Sequence, residues 1–320
     1  MLEQRRSDGS LRHLITLADL SRAEIQSLLD HSARYVSDAG ARPPSNRSLN
    51  GITIANMFTE PSTRTRVSFE LAGRRLGADV LNIEVQLSSR AKGESMLDTI
   101  RTLEAMHIDV LVIRDSEPGV IEEVARDVAP HVSVLSGGEA HVSHPTQGLL
   151  DALTIRQRKG ADFSRLTVAL VGDIRHSRVA RSAYEVLTAL GVGQLRLIAP
   201  AEMMPPPEEF PGCRRFHGPE DGLAQADVVM MLRIQKERML EASIPDGDEY
   251  FARFGLTVPR LKLAKADAIV MHPGPMNRGI EISSEVADGP QSVIRAQVRN
   301  GVAVRMAVLE TVARPRRPAP

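Results

Sequence analysis

The chain has no tryptophan, a single cysteine and no excess of either charge. Cys213, standing alone, can form neither an internal disulfide nor a zinc cluster. A disulfide-stapled secreted scaffold is thereby excluded, and a reducing compartment fits best. Its 40 basic residues are matched by 40 acidic ones, for a formal net charge of +0. Without a basic excess nothing favours nucleic acid or a membrane surface as partner. Clusters of arginine must then be read as local sites. No apolar run is long enough to span a bilayer. The N-terminal MLEQRRSDGS is polar and has none of the apolar stretch of a signal peptide. A cytoplasmic protein is expected.

What is present is an ordinary globular composition over 320 residues, enough for about two domains. Such a length can bury a core without disulfides or structural metals. Short apolar runs alternate with helical patterns. Ser21 and Glu24 make a capping box, with Leu20 and Ile25 placed as a hydrophobic staple. Residues 51–58 read as a buried strand, and 65–76 as a helix that Gly77 can terminate. Strands are expected at 80–83, 110–113 and 132–135, with helices over 95–107 and 120–128. A second series follows: strands at 166–171, 195–198, 228–232 and 268–271, and a helix over 177–190 ended by Gly191. Such alternation predicts an α/β chain of two domains, each a parallel sheet flanked by helices. The helical stretch 146–159 separates the two series. A terminal helix is expected over 293–312, and residues 313–320 as a disordered tail. The three prolines 205–207 read as a stiff surface loop.

The sharpest chemical feature is Ser62-Thr63-Arg64-Thr65-Arg66, between a strand and a helix. Free N–H groups and the positive dipole end of a helix start favour a bound anion. Three hydroxyls add donors, and Arg64 adds a planar fork suited to phosphate. An ordinary Ser/Thr cap explains one hydroxyl and leaves the other donors unexplained. His144-Pro145-Thr146-Gln147 follows another strand end, where α/β sheets bind ligands. A histidine and a glutamine there can engage a carbonyl and an amide, or Thr146 can simply cap a turn. At 171–178 a strand-to-helix turn lacks the G-x-G-x-x-G of a dinucleotide site. It places Arg178 at a helix head, which suits a carboxylate as well as it suits solvent. Arg233 and Gln235 alternate and could point the same way from an extended segment, though a charged loop explains them at least as well locally. His272-Pro273-Gly274-Pro275 fixes an unusual backbone path that can present main-chain carbonyls or simply make a tight turn. Ser88 to Glu94 is a polar loop whose Lys92 could close over a phosphate or stand as an ordinary exposed lysine.

Taken together, S-T-R-T-R at 62–66, S-x-x-x-K-G-E at 88–94, H-P-T-Q at 144–147, R-x-Q-x-E-R at 233–238 and H-P-G-P at 272–275 resemble the aspartate carbamoyltransferase family. The resemblance runs from about residue 11 to residue 312. It implies a carbamoyl-phosphate domain over 1–147, an aspartate domain over 148–290, and a final helix, 291–312, packing back on the first domain. It places the active site between domains and between subunits of a homotrimer. Ser62, Thr63, Arg64 and Thr65 would hold phosphate, and Arg114 would contact the phosphate and the carbamoyl oxygen. His144 and Thr65 would polarise that oxygen, with Gln147 on the carbamoyl amide. Arg178 and Arg233 would bind the aspartate carboxylates and Gln235 its amino end. Gly274 and Pro275 would supply main-chain contacts. Ser88 and Lys92 would reach a neighbouring subunit's site, and Glu60 would pair with arginines to hold the closed domains.

The sister ornithine enzymes carry an aspartate-tryptophan motif and an H-C-L-P segment. This chain has no tryptophan and has His272-Pro273-Gly274-Pro275 at the matching place. The Gly274-Pro275-Met276-Asn277 form resembles enzymes that pair with dihydroorotase or a dihydroorotase-like chain rather than with an allosteric regulatory chain. The implied reaction, carbamoyl phosphate plus L-aspartate, needs no covalent nucleophile, metal or organic cofactor, and the sequence shows no metal-ligand cluster. A carbamoyltransferase for another amino acid or derivative, and an inactive homologue kept as a scaffold for a partner chain, stay open as alternatives.

Overall fold

The computed structural model describes residues 4–83, 96–234 and 246–313. The chain divides into two compact units, Met1–Leu149 with Arg299–Pro320, and Leu150–Val298. The expected positions 88 and 92, position 235, and the tail beyond 313 lie outside the described residues.

In the first unit, α1 (Arg22–Ala33) starts as its sequence predicts. The Ser21 hydroxyl accepts the Glu24 N–H, and the Glu24 carboxylate accepts the Ser21 N–H at 2.8 Å. Ile25, Leu28 and Leu29 form its buried face. There follow β1 (Thr53–Phe58), α2 (Thr63–Arg75), β2 (Asp79–Ile83), α3 (Met96–Ala105), β3 (Val110–Asp115), α4 (Val120–Asp127) and β4 (Ser133–Glu139). The strands form a parallel sheet in the order β2–β1–β3–β4. α2 lies close against it, since a Cβ on Gly73 would stand 2.7 Å from Val80 Cγ2. Gly77, at φ +82°, takes the left-handed turn that ends this helix.

α5 (Pro145–Lys159) carries the boundary between the units, between Leu149 and Leu150. The second unit contains β5 (Thr167–Val171), α6 (Arg178–Ala189), β6 (Gln194–Ile198), β7 (Arg214–Phe216), α7 (Pro219–Leu223), β8 (Val228–Met231), α8 (Gly247–Phe254), α9 (Val258–Leu261), β9 (Ile269–Met271) and α10 (Ser284–Ala287). Its sheet is parallel, ordered β7–β6–β5–β8–β9. β7 and the short helices α7 to α10 carry no clear periodic signal in the sequence, being three to eight residues long. Pro205 is buried and Pro207 opens a single 3-10 turn, so the triple proline is not simply a surface loop.

α11 (Ile294–Val312) returns the chain to the first unit from Arg299 onward. Its last carbonyl, at Val312, accepts from Arg6 Nη2 at 2.7 Å and from the Ser133 hydroxyl at 2.9 Å. Glu310 accepts from Tyr35 at 2.5 Å and lies 2.7 Å from His31 Nε2. Arg305 is buried with its guanidinium over Phe69, 4.9 Å from the ring centre.

Candidate active site

Each sheet reverses direction once. In the first unit β1 is followed by β2 on one side and β3 on the other. In the second, β5 is followed by β6 on one side while β8 lies on the other. Connections leaving such a point diverge to opposite faces, which opens a crevice at the carboxyl ends of the strands. The expected site residues that are described stand at or just beyond these edges: Glu60, Ser62, His144, Arg233, Gly274 and Pro275 in loops, Arg114 near the end of β3, and Thr63, Arg64, Thr65, Gln147 and Arg178 on the first turns of α2, α5 and α6.

After β1 the chain turns into α2. Ser62 stands at the cap position but makes no side-chain cap hydrogen bond, so the ordinary cap reading of this residue does not hold. No acidic side chain sits in the first turn to neutralise the helix dipole. Thr65 is buried, while Thr63 and Arg64 are exposed.

Arg114 stands near the end of β3, the neighbour of β1. The register between β3 and β4 slips here, with Ile113 opposite Ser136 but Arg114 opposite Gly138. This bulge admits Gly137, whose carbonyl accepts from Arg114 Nη1 at 3.1 Å. Side chains would crowd the bulge, because a Cβ on Gly137 would stand 3.3 Å from the Ile113 carbonyl. Glu60 Oε2 lies 3.1 Å from Arg114 Nη2. The Arg114 carbonyl accepts from both the Thr59 N–H and its hydroxyl, which ties the loop after β1 to β3.

Beyond β4, the next strand across, come His144 and Gln147, both buried. Pro145 is the first residue of α5, suited to that place because it has no N–H to leave unsatisfied. Thr146 is therefore inside the helix and not its cap.

In the second unit, Ser177 caps α6 by accepting the Ala180 N–H at 3.1 Å, and Arg178 is the first helical residue. Arg178 is only 6 % exposed, which removes the reading of a solvated arginine. The fully buried Asp173 accepts from His176 Nδ1 at 2.8 Å and from its backbone N–H at 3.2 Å, folding the turn back on itself. Gly172, at φ +129°, permits the close passage of β8's exit loop, since a Cβ there would meet the Leu232 carbonyl at 2.6 Å. Arg233 lies on that exit loop and is half-buried. β5 and β8 are adjacent, so both arginines stand at one edge of one sheet.

The turn after β9 is held by the Gly274 N–H donating to His272 Nδ1 at 2.8 Å, with Gly274 at φ +67° and a cis bond to Pro275. Sequence reading missed Glu281 and Tyr250. Glu281 is an acid between two isoleucines with 0 % exposure, and burial pushes its pKa up against the pull of its hydrogen-bond donors. Tyr250 is buried, and among the described residues its hydroxyl has no hydrogen-bond partner. Burial, then the charges of Glu281 and Asp173, raise its pKa. The lone acid in Ile280-Glu281-Ile282 was the available signal for the first. For the second there was none. Among the described residues no group of three or more His, Cys, Asp or Glu side chains could hold a metal ion, and no helix is long and apolar enough to cross a membrane.

A family model described as aspartate/ornithine carbamoyltransferase, carbamoyl-P binding domain, matches residues 12–157. The companion Asp/Orn binding domain matches residues 164–312. The chain is similar to aspartate transcarbamoylase from Trypanosoma cruzi in complex with carbamoyl aspartate and phosphate. The identity is 32 %, over 98 % of this chain and 100 % of that one, with a TM-score of 0.86. The same enzyme with N-(phosphonacetyl)-L-aspartic acid gives 32 % identity over 97 % and 98 %, with a TM-score of 0.84. Ornithine carbamoyltransferase from Thermus thermophilus shares the fold, at 24 % identity over 94 % and 99 % and a TM-score of 0.81. Two matched domains in sequence order and relatives aligned over nearly their full length leave one assignment: this chain belongs to the aspartate/ornithine carbamoyltransferase family.

Proposed function

We propose that the chain transfers the carbamoyl group of carbamoyl phosphate to the amino group of L-aspartate, giving N-carbamoyl-L-aspartate and phosphate. The observation that carries the choice of aspartate is the pair Arg178 and Arg233 on adjacent strand exits of the second unit. Each guanidinium can take a carboxylate through two parallel hydrogen bonds. A cationic side chain such as that of ornithine would be repelled there.

The first unit takes carbamoyl phosphate. Ser62, Thr63, Arg64, Thr65 and the N–H groups at the start of α2 receive the phosphate. Arg114 reaches the phosphate and the carbamoyl oxygen. Thr65 and His144 donate to that oxygen as negative charge develops on it, and Gln147 holds the carbamoyl amide. Gln235, Gly274 and Pro275 complete the aspartate side. The neutral amine attacks the carbamoyl carbon, a C–N bond forms, and the C–O bond to phosphate breaks. The amine proton leaves with the departing phosphate. Alignment of the two reactants supplies much of the rate.

This reaction is the committed step of pyrimidine biosynthesis, and we place the chain in the cytoplasm as a homotrimer. Ser88 and Lys92 then serve the neighbouring subunit's site, and a dihydroorotase or dihydroorotase-like chain is the expected larger partner. A colorimetric assay for carbamoyl-aspartate, with ornithine as control substrate, tests the reading. Aspartate should be carbamoylated much faster. Equal rates, or a preference for ornithine, would overturn the choice of substrate.

A further inference from the structure

The carboxyl edge of the second sheet is held together by an acid to which no role has yet been given. Glu281 is 0 % exposed. Its Oε1 accepts the Ile234 N–H at 3.1 Å and Asn277 Nδ2 at 2.7 Å. Its Oε2 accepts the Asn277 N–H at 2.7 Å and stands 4.0 Å from His272 Nε2. The Gly274 N–H donates to His272 Nδ1, so in a neutral ring the proton sits on Nε2, facing Glu281. The three groups hydrogen-bonded to the carboxylate are all donors, and His272 Nε2 faces it from 4.0 Å. Only a group that accepts on both oxygens satisfies these donors; burial raises the Glu281 pKa, while the Asn277 and Ile234 donors and then the charge of Arg233 pull it back toward the ionised form.

These donors come from two different loops. Ile234 directly follows Arg233 on the exit from β8, while His272 and Asn277 belong to the exit from β9, where Gly274 in turn donates to His272. Glu281 is itself fixed, its carbonyl accepting the Leu256 N–H at 2.8 Å and its own N–H donating to the Asn277 carbonyl at 3.2 Å. A buried carboxylate is costly unless every lone pair is engaged. Here that requirement locks both loops to one point.

We infer that Glu281 is a positioning residue for aspartate. By fixing the backbone at Ile234 it sets where the Arg233 guanidinium stands, and by fixing Asn277 it sets the main chain of the Gly274-Pro275 turn. The inference rests on the proposed aspartate reading. It goes beyond that reading in making substrate affinity depend on a side chain that does not itself touch substrate.

The test is Glu281→Gln, which keeps the shape but turns an amide N–H toward donors. The KM for aspartate and the inhibition constant of succinate, an unreactive dicarboxylate, should each rise about tenfold, because small displacements of positioning groups carry effects of this size or larger. The affinity for carbamoyl phosphate should stay within about twofold, since its groups lie in the other unit. A variant with a lowered Tm but unchanged KM and succinate inhibition would make Glu281 a stability residue only and overturn the inference. Should Glu281→Gln not fold, Asn277→Ala removes one donor from a half-buried side chain and keeps the backbone donors. A rise of roughly threefold in the aspartate KM is then expected, about 0.7 kcal/mol, and no rise would overturn the inference. If the parent protein itself fails to carbamoylate aspartate, the substrate reading has failed instead.

Discussion

Glu60 Oε2 and Arg114 Nη2 stand 3.1 Å apart, so the carboxylate after β1 holds the guanidinium at the end of β3. Both side chains are largely buried, at 20 % and 12 % exposure. The Gly137 carbonyl holds a second nitrogen of the same guanidinium. A phosphate arriving at this edge has to compete with Glu60 for Arg114. Glu60→Gln removes that competitor. Its affinity for inorganic phosphate, measured by calorimetry, should rise by roughly fivefold, the effect of ~1 kcal/mol. An unchanged or weaker affinity would show that phosphate does not reach Arg114.

Arg64 is exposed on the first turn of α2, a turn with no acidic side chain. Losing a charge-assisted partner of a bound phosphate costs about 2–5 kcal/mol. Arg64→Ala should therefore turn over at least ~100-fold more slowly, with circular dichroism and Tm close to the parent's. Near-normal turnover in the folded variant would reduce this helix start to a plain end.

His13 is buried and neutral, its Nδ1 accepting the Val134 N–H at 3.0 Å. Burial, then the charges of Arg12 and Arg6, lower its pKa from 6.5 to about 3. The unfolded chain therefore binds this proton below about pH 6.5 while the folded chain does not. Stability is lost as pH falls from 6.5 toward 3, by about 2 kcal/mol at pH 5. Urea unfolding of the parent and of His13→Asn between pH 7 and 5 measures it. The parent's stability should fall more steeply with acid, and parallel curves would count against a neutral His13.

Lys92, outside the described residues, tests the shared-site reading. Lys92→Ala and Arg64→Ala chains should each be nearly inactive. Dissociated, mixed and reassociated, they should regain a substantial part of parental activity, because some interfaces then join an intact Arg64 half to an intact Lys92. Verified subunit exchange without recovery would confine Lys92 to its own chain.

The alternation of apolar runs determined the α/β class, the parallel sheets and the main helices. β1, β3 and β5 are nearly continuous buried apolar stretches, the pattern of strands covered on both faces. Local chemistry was equally legible. The Ser21–Glu24 box needs only residues three apart, and Gly77 only its own φ. Short elements escaped because a strand of three residues such as β7 has no room for a period. Motifs could mark Arg178 and Arg233 as candidates but could not tell a solvated arginine from a buried one. That difference is made in the tertiary structure, where β5 and β8 pair with Val168 opposite Val228 and so bring their exits side by side. Glu281 shows the limit most clearly. As a sequence letter it is one acid between isoleucines. Only folding surrounds it with donors from two loops, since an ionised carboxylate away from water must draw its hydrogen bonds from whatever backbone the tertiary structure brings within reach.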